Sequence, residues 1–133
     1  MRIYIAGKLS EKSERERLEE IDKLCKELGF ETFLPHREVG IAKSIADVNN
    51  IFEGDITNGL ATCDAVVVSL EGLHIGSGTA WELGYAYANN MPLIGIKTDE
   101  PISEALDYLS PIVIASTRIV DSMDKLKHAL KKL

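Results

Sequence analysis

Between Asp64 and Glu71 the chain reads AVVVSL, a run with apolar side chains at both odd and even positions. Successive strand residues face opposite sides of a sheet, so a strand of this kind has to be covered on both faces. Four other short runs bounded by turn residues fit the same sheet: Arg2 to Ala6 (RIYIA), Glu31 to Leu34 (ETFL), Pro92 to Ile96 (PLIGI) and Ile112 to Ala115 (IVIA). Between the strands lie segments with helical spacing. Leu18, Ile21, Leu24, Cys25 and Leu28 form one apolar stripe, and Met123, Leu126, Leu130 and Leu133 form another. Gly29 stands just past the first of these, where a helix commonly stops. Alternating strands and helices predict a Rossmann-like, doubly wound α/β domain: five parallel strands in a three-layer α/β/α arrangement, one domain over residues 1–133.

A chain of 133 residues, 45% of them hydrophobic, supports one core of this size. The net charge of −6 offers no basic field for a nucleic-acid backbone, so polymeric nucleic acid is not expected as a partner. Any phosphate contact has to come from a local device, a loop or a helix N-terminus. Cys25 and Cys63 show no metal-ligand spacing and read as buried thiols in a reducing compartment, with no metal site expected. The opening MRIYIAG is too short an apolar run for a signal peptide, and no later run approaches the roughly 18 apolar residues of a membrane span. A cytoplasmic protein without a membrane partner is the expectation. The least regular stretch is PHREVGIAKSIADV, Pro35 to Val48, which reads equally as a substrate-facing loop or a plain connection.

In an open parallel sheet, ligands bind at the carboxyl ends of the strands where the chain order reverses. Three segments should converge there: AGKLS after the first strand, EGLHIGSGT after the third, and the loop after PLIGI. Gly7 and Lys8 are able to hold a phosphate through backbone N–H groups and an ammonium, or to be a turn residue and a surface charge. Gly72, Gly76 and Gly78 bracket Ser77 and Thr79 directly before a helix, a pattern resembling an anion or sugar-phosphate cradle. The Lys-Ser/Thr ending of a P-loop is absent.

Glu82 is the one carboxylate in IGSGTAWELGYAYA. Two readings compete for it. In the first, Thr79-Ala-Trp-Glu82 is a capping box, with Thr79 as the cap. In the second, Glu82 faces the cleft, is kept ionised by the helix dipole, and attacks an anomeric carbon as the carboxylate of a retaining glycosidase does. Such a reaction needs a proton donor for the departing group, and Asp55 in EGDITNGLATCD is the best-placed candidate. Asp64, directly against AVVVSL, reads as a turn residue. Tyr4 on the first strand either holds Glu82 in one rotamer or is simple core. Trp81 and Leu83 are expected to anchor the helix in the core.

Through IYIAG, the Asp55 segment and above all the block GTAWELGYAYANNMPLIGI, the chain resembles the nucleoside 2-deoxyribosyltransferase family over nearly its whole length. The resemblance implies a flavodoxin-like fold and assembly at least as a homodimer, with a neighbouring subunit completing each site. It makes Glu82 the nucleophile that attacks C1′ of a deoxyribonucleoside, Tyr4 the residue that orients it, and Asp55 the contact to the leaving base. Family members acting on free nucleosides usually carry Asp six residues before the nucleophile, where this chain has Gly76. A carboxylate there would repel a 5′-phosphate, whereas Gly76, Ser77 and Gly78 leave space and offer donors. In this the chain is similar to the branch that hydrolyses 2′-deoxynucleoside 5′-monophosphates, as it is in Lys8, where many members have Pro. Ala6, Gly7, Lys8 and His36 complete the expected substrate contacts, although His36 and Arg37 also read as a surface pair. Ser103 and Ser110 both fit the segment contributed by the neighbour, with Ser110 carried forward as the contact.

The function expected is therefore an N-glycosidase on small-molecule deoxynucleotides, needing no cofactor, with a deoxyribosyltransferase passing the same glycosyl-enzyme to a second base as the nearest rival. GSGT-x-x-E is also similar to the glycine-rich motif of cytokinin-activating phosphoribohydrolases, which would make ribonucleotides the substrates. A nucleotide-binding module in which Glu82 only caps its helix is the reading from a different class.

Overall fold

The computed structural model describes residues 1–133. Its strands are β1 (Arg2–Ala6), β2 (Glu31–Phe33), β3 (Ala65–Ser69), β4 (Leu93–Ile96) and β5 (Arg118–Val120). They pair in the order β2-β1-β3-β4-β5, every pair parallel, with Ile3 opposite Ala65 and Ala6 opposite Val68 in the centre. The helices are α1 (Lys12–Glu27), α2 (Pro35–Glu38), α3 (Val48–Phe52), α4 (Ser77–Ala88), α5 (Pro111–Ser116) and α6 (Met123–Lys131). This is the doubly wound α/β arrangement expected, with the order reversal between β1 and β3.

The two-sided strands do what their pattern requires. Ile3 and Ile5 of β1 and Val67 of β3 join Leu18, Ile21 and Cys25 of α1 and Leu126 and Leu130 of α6 in one core. Tyr4 and Ala6 of β1 and Val66 and Val68 of β3 point the other way, to Leu83 and Ala86 of α4 and Val113 of α5. Full burial of each Ile, Leu or Val is worth roughly 1.5–3 kcal/mol, so the alternation fixes which face each helix covers. Helix α1 ends as its sequence predicts. Gly29 takes φ +90°, its N–H bonds the Lys26 carbonyl at 2.9 Å, and the Phe30 N–H reaches back to the Cys25 carbonyl at 3.0 Å.

The fifth strand is not where its apolar run suggested. Ile112–Ala115 lies inside α5, and the edge strand is the more polar Arg118–Val120, with Arg118 opposite Ile94. The Ser-Pro pair decides it: the Ser110 hydroxyl accepts the Ile112 N–H at 3.2 Å and Pro111 opens the helix with its φ already set. Four apolar residues fit either a strand or a helical turn, and here only Val113 is buried while Ile112 is 79% exposed. The stretch after β2 is likewise more regular than predicted. It holds α2, a 3₁₀ turn (Ile45–Asp47) and α3, which continues into a π-helical turn at Glu53–Thr57.

Candidate active site

A cleft of about 670 Å³ opens at the carboxyl ends of β1 and β3. The loop Gly7–Ser10 forms its floor on one side, the first half of α4 another side, and α3 with its π-helical turn the wall opposite.

Helix α4 starts at Ser77, with Gly76 as its cap residue at φ +84° and ψ 156°, a backbone region essentially reserved for glycine. This corrects the capping-box reading. Thr79 is buried within the first turn rather than capping it, and Glu82 is the sixth residue of the helix, out of reach of the cap. Its setting is also not one in which the dipole, which fades beyond the first turn, keeps it ionised. Burial pushes the Glu82 carboxyl up to about 7, the Tyr4 hydroxyl bonded to it pulls the other way, and the nearby Asp55 charge raises it further. Tyr4 is fully buried in β1, stacked on Phe33 with ring centroids 5.6 Å apart, and donates its hydroxyl to Glu82 Oε2. Burial first, then the Glu82 charge, raises the Tyr4 phenol far above its usual range, so it remains a donor.

Asp55 sits on the π-helical turn, a widened backbone that aims its side chain into the cleft from the facing wall. Its Oδ1 is buried without a hydrogen-bond partner, and burial pushes its carboxyl up to about 6. The turn can close tightly because residue 59 is glycine. A Cβ there would stand 2.7 Å from the Phe33 ring, the ring on which Tyr4 stacks. Two acids with raised pKa values thus face one cleft, one with a fixed donor and one without.

The opposite end of the cleft is polar. Gly7, Lys8, Ser10, Gly76, Ser77 and Gly78 line it, and the Lys8 stem passes 3.6 Å from where a Cβ on Gly76 would stand. The Lys8 ammonium is 3.4 Å from Glu14 Oε2. A Cβ on Gly7 would fall 2.8 Å from Leu18, so glycine lets the first loop pack onto α1. The loop after β4 does not line the cleft, contrary to expectation. It braces the loop after β3 instead: buried Lys97 donates to the Leu70 and Gly72 carbonyls at 3.1 and 3.0 Å and pairs with Asp99 at 2.7 Å. Asp99 in turn accepts the Gly72 N–H at 2.7 Å, and Glu71 accepts from Thr98 and from Arg17 at 3.0 Å.

Of the residues singled out from the sequence, Glu82, Asp55, Gly7, Lys8, Gly76, Ser77 and Gly78 come together in the cleft, and Tyr4 lies beneath it. Ala6 is buried under the floor and does not face it. His36 points elsewhere, with Nε2 3.3 Å from Glu19 on α1, and Ser110 caps α5 away from this cleft. Asp64 is the turn residue expected, its carboxylate accepting the Arg2 N–H at 2.7 Å. Trp81 is not a core anchor. It is 50% exposed and lines the cleft with Phe52, a residue the sequence reading passed over. The signal available was position: Trp81 precedes Glu82 directly, and Phe52 is one helical turn before Asp55.

A doubly wound sheet with two carboxyls facing one cleft at its switch point has its ligand site where open α/β enzymes have theirs, and the family match sets the class as glycosyl-transferring enzymes. The chain belongs to the nucleoside 2-deoxyribosyltransferase family, whose model matches residues 3–121. No curated protein matches it by sequence. Among solved structures it is similar to a conserved protein from Enterococcus faecalis V583, with 26% identity, a TM-score of 0.77, and 99% of this chain and 98% of that one covered. A 2-deoxyribosyltransferase from the psychrotolerant Bacillus psychrosaccharolyticus superimposes with a TM-score of 0.70 at 18% identity, covering 98% and 96%. The CMP N-glycosidase BcmB of Clostridium botulinum gives 0.62 at 17%, covering 99% and 97%. At these last two identities the likeness is one of fold.

Proposed function

We propose that the protein hydrolyses the N-glycosidic bond of 2′-deoxynucleoside 5′-monophosphates to free base and 2-deoxyribose 5-phosphate. The observation that carries the reading is the pairing of a Tyr4-bound carboxylate, Glu82, with a partnerless carboxyl, Asp55, across one cleft. Burial leaves Glu82 the more protonated of the two, at about 7 against about 6 for Asp55, so the reactive arrangement is the one in which the pair's proton sits on Asp55 while the Tyr4 donor holds Glu82 as the carboxylate. A Glu82 oxygen bonds to C1′ as the C1′–N bond breaks; its electron pair goes to the base nitrogen, which takes the Asp55 proton. Water then attacks C1′, gives a proton to Asp55, and releases Glu82 as a carboxylate. The 5′-phosphate is read toward the polar end, where Lys8, Ser77 and the free N–H groups of α4 meet an anion with the positive end of a twelve-residue helix. Gly76 supports this, because residue 76 brings no carboxylate to that end, and the Lys8 ammonium, paired with Glu14 at 3.4 Å, is exposed enough to turn to a phosphate.

A homodimer sharing its sites belongs to the same proposal: Ser110, outside its own cleft and beside the exposed Ile112, is free to meet a neighbour. Light scattering checks the mass in solution. The activity is tested by chromatographic base release from deoxynucleosides, their 5′-monophosphates and the matching ribonucleotides, with Glu82→Ala alongside. Release from deoxymonophosphates alone, lost in the variant, is expected. Faster release from unphosphorylated nucleosides would overturn the phosphate reading, and exchange onto an added base would make the protein a transferase.

A further inference from the structure

The geometry points to Phe52 and Trp81 as the two jaws that hold the leaving base, by stacking rather than by reading its hydrogen-bonding edge. This deepens, and rests on, the proposed nucleotide reading. Each reacting carboxylate has an aromatic neighbour on its own helix: Trp81 immediately before Glu82, and Phe52 three residues before Asp55. The two rings close on each other edge to face across the cleft, with centroids 5.9 Å apart and planes at 77°, so the jaws are shut here and a base enters by turning the exposed Phe52 side chain aside. Both are half exposed, 50% for Trp81 and 53% for Phe52, although each is large and apolar and a core lies close by.

The indole plane is held. Trp81 stacks on Tyr85, one helical turn on, at 5.9 Å and 14°, and Tyr85 is packed into the core beneath α4. The remainder of this wall is apolar, Val48, Ile51 and Ile56, and Asp55 is the only polar side chain on it. With a single carboxyl available, the base can be given one proton but its edge cannot be distinguished by a set of donors and acceptors. A planar ring has a face whatever its edge carries, so stacking accepts purines and pyrimidines alike, in proportion to the area each offers. The polar end of the cleft takes the phosphate, and the sugar is left between, over Glu82.

Trp81 is the only tryptophan in the chain, so intrinsic fluorescence reports on one jaw without a label. The probe is Glu82→Gln protein titrated with 2′-deoxyadenosine 5′-monophosphate, with 2′-deoxycytidine 5′-monophosphate, and with 2-deoxyribose 5-phosphate, which has no base. Saturable quenching by both nucleotides and none by the sugar phosphate is expected. Equal quenching by the sugar phosphate, an emission that follows protein concentration instead of nucleotide, or nucleotide binding seen by calorimetry without a fluorescence change would each overturn the jaws. In the active protein Phe52→Leu and Trp81→Leu should raise KM for monophosphates by about five- to a hundredfold, with kcat changed far less. A KM within twofold of wild type in the Phe52→Leu protein, whose residue is exposed enough to spare folding, would sink the idea independently. Quenching by nucleotides with no base release from wild type would leave the jaws standing and remove the hydrolase reading instead.

Discussion

The Tyr4 hydroxyl, carried on the interior strand β1, donates to Oε2 of Glu82, 78 residues further along the chain. The bond ties the sheet to the helix that lines the cleft, and it acts on the one carboxylate whose charge the proposed reaction needs. Because the Tyr4 ring is also stacked on Phe33, deleting only the hydroxyl leaves the packing in place.

Tyr4→Phe is therefore expected to fold normally and to lose base release by about 10- to 100-fold, the range for removing a hydrogen bond to a charged group. Tyr4 lowers the Glu82 pKa, so without it that pKa moves up and the acid limb of the rate profile shifts to higher pH. A kcat/KM profile from pH 5 to 9 for both proteins checks the direction. An unchanged rate and limb would make the bond structural only.

The two raised carboxyls also make a statement about stability. Glu82 titrates near 7 when folded and near its ordinary 4.5 when unfolded. Between those values the unfolded chain has released a proton that the folded chain keeps, so folding stability from this group is full below about pH 4.5 and is lost as pH rises through 7. Glu82→Gln, which still accepts from Tyr4, should thus be more stable than wild type at pH 8, by about 3 kcal/mol at most, and no more stable at pH 4. Thermal melts at the two pH values read this, and a stabilisation independent of pH would contradict it.

How much of this was legible in the sequence depended on range. The two-faced strand AVVVSL and the Gly29 stop are local patterns, and the structure follows them. The Ile112–Ala115 run misled because four apolar residues carry no period; the nearby Ser110-Pro111 start was the deciding signal. Around Glu82 the block GTAWE matched a capping box by spacing, yet the chain begins its helix three residues earlier because Gly76 can take a conformation Thr79 cannot. The ring contact between Phe52 and Trp81 and the Lys97 brace join segments far apart in the chain. No window of sequence contains them.

Gly76 gives a prediction in which backbone and charge separate. At φ +84° and ψ 156° any side chain is strained, so Gly76→Ala should cost about 1–3 kcal/mol of stability. Gly76→Asp carries the same strain and adds a carboxylate beside Lys8. It should lower kcat/KM for deoxymonophosphates at least about tenfold more than for the unphosphorylated nucleosides, roughly one like-charge contact at a partly buried site. Equal losses for both substrate types would place the phosphate elsewhere.

Lys97 tests whether the loop after β3 is held from behind. Its ammonium is fully buried, and Lys97→Met would leave the Leu70 and Gly72 carbonyls without their donor, at about 1–3 kcal/mol for the buried Leu70 carbonyl and less for that of Gly72, which water can reach. Asp99 is 43% exposed and can turn to water, so the loss should stay near 2–4 kcal/mol rather than the full penalty of an orphaned buried charge. Asp99 would still accept the Gly72 N–H, which makes the effects of Lys97→Met and Asp99→Asn less than additive in a double-mutant cycle. Four residues beyond Gly72 the same loop delivers Gly76 and the start of α4, so a loosened brace should raise KM for monophosphates while sparing the Tyr4–Glu82 pair and hence kcat. Additive stability losses with an unchanged KM would mean that the β3 loop keeps its shape without Lys97, and that the glycine conformation at residue 76 alone sets the polar end of the cleft.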